Sequence, residues 1–184
     1  MTLRKILTVP DPRLKRICEP VISFDDTLRI LSNDLLETMY AAPGIGLAAS
    51  QIGVLSRVLV MDCEKQSENS NPKVLVNPQI TWFSPEKRVY EEGCLSIPET
   101  YAEISRSQTV KVSYKGLSGE DNEEIFTDLW STCVQHEIDH LNGKLFIDYL
   151  GAVKRSLIIN KMTKLKREQM KGQKQSNKIN GFKE

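Results

Sequence analysis

Apolar residues recur at Leu28, Leu31, Leu35 and Met39. That spacing predicts an amphipathic helix over 25–42, with Asp25 and Asp26 placed to cap its start and Pro43-Gly44 to stop it. The pattern then changes. Residues 57–62, 73–83, 87–92, 102–106 and 108–115 read as strands. Turn signals fall at Pro85-Glu86, at Pro98-Glu99 and over 116–122, and the polar stretch 65–72 reads as a loop. Residues 124–127 read as one more short strand. A second helix is expected over 128–142, capped by Thr127 or Asp128 and ended near Gly143. A third, Lys-rich helix follows over 151–171, with a frayed end to the chain. Strands in succession without β-α alternation argue for an α+β fold with antiparallel sheets.

The 184 residues are enough for one domain with its own core. Composition is ordinary for a globular protein: 40% hydrophobic and 27% charged. Net charge is +1 and excludes nothing, but its distribution is uneven. Residues 1–150 carry 15 Lys and Arg against 22 Asp and Glu, whereas residues 151–184 carry 10 against 2. We therefore divide the chain into an acidic body, 1–150, and a basic helix with a flexible tail, 151–184, within the same domain. The basic end suits an anionic partner, or simply a solvated face. No stretch has the ~20 apolar residues of a membrane span, and the start of the chain reads as neither a secretory signal nor a transit peptide. A cytoplasmic protein is expected. Its cysteines, Cys18, Cys63, Cys94 and Cys133, form no C-x-x-C pair and are expected as thiols or metal ligands.

The chemistry lies in His136-Glu137-Ile138-Asp139-His140. Residues four apart share one face of a helix, so both imidazoles can reach one metal ion. Glu137 flanks that ion and is placed to act as a base. These are the only histidines in the chain, and chance would produce the arrangement about once in a thousand. A catalytic site of this type usually has three protein ligands. Asp139 points off the metal face. Cys133 stands one turn before His136, but one straight helix cannot easily supply all three ligands. Cys94, in the turn-rich segment Glu92-Gly93-Cys94-Leu95-Ser96, is the better candidate. A zinc endopeptidase and a module with a closed structural metal are the competing readings.

Three segments together narrow the choice. Gly44-Ile45-Gly46-Leu47-Ala48-Ala49-Ser50-Gln51, Glu92-Gly93-Cys94-Leu95-Ser96 and Gln135-His136-Glu137-Ile138-Asp139-His140, in that order, resemble the peptide deformylases over about residues 5–150. The basic C-terminal helix resembles that of the Gram-negative bacterial type. The resemblance implies antiparallel sheets packed around a central metal-binding helix. It implies removal of the formyl group from the N-terminal methionine of newly made polypeptides, with release of formate. Cys94, His136 and His140 would hold the metal. Glu137 would carry the proton, and the Gln51 side chain and Leu95 N–H would bind the oxyanion. Ile45, Gly46, Tyr90, Leu129 and Cys133 adjoin the three motifs and are candidates to bind the methionyl substrate. Tyr101 stands where some members carry a basic residue. The implied ion is Fe2+, with Zn2+, Ni2+ or Co2+ as substitutes. Implied partners are formylmethionyl nascent chains and, through residues 151–171, the ribosome. A monomer acting away from membranes is expected.

Overall fold

A computed structural model describes residues 2–64 and 70–180, with side chains as far as Glu168. In chain order its elements are α1 (Asp26–Ala41), β1 (Gly46–Ala48), β2 (Val58–Met61), β3 (Lys73–Phe83), β4 (Lys87–Cys94), β5 (Ile97–Ser107), β6 (Thr109–Lys115), β7 (Asp121–Thr127), α2 (Asp128–Leu141) and α3 (Ala152–Asn180). Among the described residues, β1-β2-β3-β6-β7 form one antiparallel sheet in that spatial order, and β4-β5 a separate hairpin. The protein is α+β, with α2 between the sheets. No helix among the described residues is long and apolar enough to cross a membrane.

The helices start where the polar caps predict. The Asp25 carboxylate accepts the N–H groups of Thr27 and Leu28, satisfying two donors that the first turn of α1 leaves open. Leu28, Leu35 and Met39 are buried on one side of that helix. Thr127 is the cap position of α2, yet its side chain makes no capping bond. Packing holds this helix instead. Its buried residues extend without a break from Ser131 to Ile138 and include His140 and Leu141. A helix covered on every side belongs to the core. Val134, Ile138 and Leu141 pack with Leu59 and Met61 of β2, Leu75 of β3 and Val110 and Val112 of β6. Each such side chain contributes about 1.5–3 kcal/mol when fully buried.

Several expectations need correction. β1 adds a strand that the sequence pattern does not predict: Gly46, Leu47 and Ala48 pair with Met61, Val60 and Leu59. Pro98-Glu99 is no turn between strands but lies inside β5, where Glu99 takes a left-handed φ of 54°. β7 starts at Asp121, since its pairing with β6 continues to Lys115↔Asp121. The backbone of α3 continues past residue 171 to Asn180, as its Lys and Gln residues favour. Residues 65–69 of the expected polar loop and 181–184 of the expected frayed end lie outside the described residues.

α3 docks by a narrow stripe. Ile158 and Met162 are buried with Leu145, Phe146 and Ile147 against Ile97 and Ile104 of β5. Lys161 donates to the Glu99 carbonyl at 3.2 Å.

Candidate metal centre

The helical spacing of His136 and His140 brings their Nε2 atoms to 3.2 Å. Cys94, the last residue of β4, sits where the hairpin register shifts between Gly93 and Cys94. That shift aims its Sγ at the histidines, 3.2 Å from His140 Nε2. The three ligand atoms all lie within 4.8 Å of one another. Cys133 is not among them. Its Sγ turns to the Ile45 carbonyl at 3.5 Å. A closed four-ligand site therefore lacks its fourth ligand among the described residues. The donor set fits a divalent ion that binds thiolate and imidazole about 2.0–2.3 Å away and keeps a position open.

The support behind His136 is more extensive than the sequence reading foresaw. His136 Nδ1 lies 2.8 Å from Glu92 Oε2. Arg106 donates to both oxygens of Glu92, and to Asp139 Oδ2 at 2.8 Å. The Tyr149 hydroxyl also donates to Asp139, at 2.9 Å. Glu92 and Arg106 are both buried. Burial works against the Glu92 charge, but bonds from His136 and Arg106 outweigh it and hold its carboxyl below the usual value. An ionised carboxylate only accepts, so His136 Nδ1 must donate. That fixes the tautomer and leaves the Nε2 lone pair for a ligand. Burial also disfavours charge on His136; Cys94 and Glu92 overcome it and raise its pKa. For His140 burial dominates, with His136 adding to it, and its pKa falls. His140 is thus a neutral imidazole, the form that binds metal.

Glu137 has no such support. Its Oε2 is buried and without a partner. Burial pushes its pKa up to about 7. Gly46 explains how close its surroundings come. A Cβ there would stand 2.5 Å from Glu137 Oε1 and 2.8 Å from Cys133 Sγ, so any larger residue would have to displace those side chains.

Gln51 lies in a short 3-10 turn, Ala49–Ile52. Its Oε1 accepts the Ala48 N–H at 2.8 Å, which orients the amide. Its Nε2 then faces Ser96 Oγ at 3.2 Å and Cys94 Sγ at 3.7 Å. The N-terminal segment ties both loops together: Leu7 N–H bonds to the Gln51 carbonyl and Val9 N–H to that of Ser96.

These groups open onto one cavity of about 460 Å³. Ile45, Gly46, Tyr90, Leu129 and Cys133 all line it, as do Gln51, Cys94, Leu95, His136 and Glu137. His140 lies beneath, almost wholly buried. Tyr101 forms part of the rim, its ring over Gly93.

Sequence reasoning missed Arg106, Ser96, Tyr149 and the partnership of Glu92 with His136. One signal was available for Arg106. It continues the inward alternation of Ala102 and Ile104 along β5, and an arginine at such a position needs buried anions.

The chain as a whole is similar to known proteins. Residues 3–156 match the family model described as polypeptide deformylase. The peptide deformylase of Phenylobacterium zucineum is 52% identical over 164 residues, covering 89% of this chain and 97% of that one. The crystal structure of a peptide deformylase from Legionella pneumophila superposes with a TM-score of 0.84 at 43% identity, covering 92% of this chain and 98% of the other. That of the Ehrlichia chaffeensis peptide deformylase in complex with actinonin gives 0.86 at 40% identity, over 91% and 99%. The chain belongs to the peptide deformylase family, metal-dependent hydrolases that remove the formyl group from the N-terminal methionine of new polypeptides.

Proposed function

We propose that Cys94, His136 and His140 hold one divalent ion and that Glu137, Gln51 and Leu95 carry out deformylation around it. The observation that supports this most is the convergence of three ligand atoms within 4.8 Å beside a buried, unpartnered carboxyl. A divalent ion held there would supply a water acidic enough to attack near neutral pH and would polarise the formyl carbonyl. Glu137, a buried carboxyl with no partner on its Oε2, accepts the proton of the attacking water. It returns that proton to the departing methionyl nitrogen, so formate leaves and the carboxylate is restored. As the carbonyl oxygen gains charge, Gln51 Nε2 and the Leu95 N–H donate to it. One such donor is worth about 10²–10³ in kcat. The methionine side chain enters the cavity beside Ile45, Gly46, Tyr90, Leu129 and Cys133.

Fe2+ is the ion we propose, on family resemblance, with Zn2+, Ni2+ or Co2+ able to substitute. We propose further that residues 1–150 do the chemistry as a monomer in the bacterial cytoplasm. Residues 151–184 form part of the same domain, and the basic helix over 151–171 docks on ribosomal RNA. The test is formate release from a formylmethionyl peptide by Fe2+- or Ni2+-loaded protein, with Gln51→Leu alongside. Activity in the wild type and a loss of about 10²–10³ in the variant's kcat are expected. An inactive wild type, or an unaffected variant, would refute the assignment.

A further inference from the structure

Cys63 and Cys133 take no part in the chemistry described above, and both are free thiols. Cys133 is buried on α2, and its Sγ points to the Ile45 carbonyl. The same carbonyl accepts the backbone N–H of Asp62 at 2.8 Å. This bond brings the end of β2, and with it Cys63, to the Cys133 side chain. Cys63 packs on the same apolar cluster, and its side chain is a close enough neighbour to raise the pKa of the Cys133 thiol. One thiol of the pair is half-exposed, and the other lines the substrate cavity.

We propose that Cys63 and Cys133 are a redox modification site, closing a reversible disulfide when a peroxide reaches Cys63. Exposure decides which sulfur reacts first. The neighbouring Cys63, together with burial, keeps Cys133 protonated and slow towards oxidants. Cys63 therefore attacks the peroxide, the O–O bond breaks, and a sulfenic acid and one water form. Cys133 sulfur then displaces the hydroxyl from Cys63 sulfur. The S–O bond breaks, the S–S bond forms, and the hydroxyl leaves with the thiol proton as a second water. Two thiols have lost two electrons and hydrogen peroxide has gained them.

The consequence for catalysis rests on the cavity being the substrate site, as proposed above. The new bond withdraws Cys133 Sγ as a donor to Ile45. There is no slack beside it, because Gly46 already fits closely against that sulfur and Glu137. Shifting the sulfur distorts the wall on which the reacting group is positioned.

Ni2+-loaded protein treated with limiting hydrogen peroxide tests this, with mass analysis of its proteolytic peptides and assay of formate release. A Cys63–Cys133 cross-linked peptide is expected, together with a fall in kcat/KM on the order of 10²-fold, as displaced catalytic geometry produces. Dithiothreitol should reverse both. Cys63→Ser should keep the basal rate and show neither change. Oxidation confined to other sulfurs would overturn the proposal. So would a cross-link that leaves formate release unchanged. An untreated protein with no activity would count against the functional reading instead, because the cross-link itself is read by mass.

Discussion

The metal helix α2 and the basic helix α3 use their polar residues in opposite ways. On α2, His136 and Asp139 have fixed partners, and Glu137 is left alone in a buried place. On α3 one narrow apolar stripe is covered, while Lys154, Lys164 and Arg167 stand in solvent. The first arrangement depends on individual atoms at ångström distances. The second depends on summed charge, which tolerates movement. If α3 docks on ribosomal RNA as proposed, the two tasks are kept on separate helices.

The sharpest way to break this contrast is at Arg106. Arg106→Leu strands the buried Glu92 carboxylate and takes a partner from the half-buried Asp139, which costs about 3–5 kcal/mol. Calorimetry should show that loss. Metal titration should show affinity falling about 10–100-fold as His136 loses its orientation. A variant with unchanged stability and affinity would mean that the buried network is dispensable.

The second prediction concerns Glu137 in metal-free protein. Its folded pKa of about 7 lies above the ordinary 4.5. Below 4.5 the carboxyl is neutral whether the chain is folded or not, and it costs nothing. As the pH rises through 7, the folded state comes to bear a buried charge that the unfolded state carries freely. Stability is therefore lost over that window, by about 3 kcal/mol. Metal-free Glu137→Gln should be more stable than wild type at pH 8 and equal to it near pH 4. Chemical denaturation at the two pH values checks this; a variant less stable at pH 8 would contradict it.

The smallest effects should come from α3. Replacing Lys154, Lys164 and Arg167 by Glu should leave stability within about 0.5 kcal/mol and hydrolysis of short peptides unchanged. Ribosome co-sedimentation should fall, and its salt dependence should become less steep. Reversing charge is the cleaner experiment. Removing residues 151–184 would also strip Ile158 and Met162 from the core.

The difference between the helices also explains what the sequence could reveal. His136, Glu137 and His140 are legible because their relation is set by 3.6 residues per turn, a local rule. The basic character of α3 is legible because it is composition. Glu92 was visible as a motif letter but not as the partner of His136, since that pairing depends on how the β4–β5 hairpin lies against α2. Arg106 needs the same docking as well as the hairpin register. β1 was invisible because three residues carry no period; β2 makes them a strand. The pairing of Cys63 with Cys133 likewise follows from the β1–β2 register and not from spacing.

The most direct test of the account is to measure formate release and bound metal together, in wild type and Glu137→Gln. The account predicts that both proteins hold one divalent ion per chain, because Cys94, His136 and His140 are untouched. It predicts that the variant's kcat falls by about 10²–10⁴, the loss expected when a positioned proton carrier is removed. A variant that keeps its ion and its full activity would contradict the central role given to Glu137.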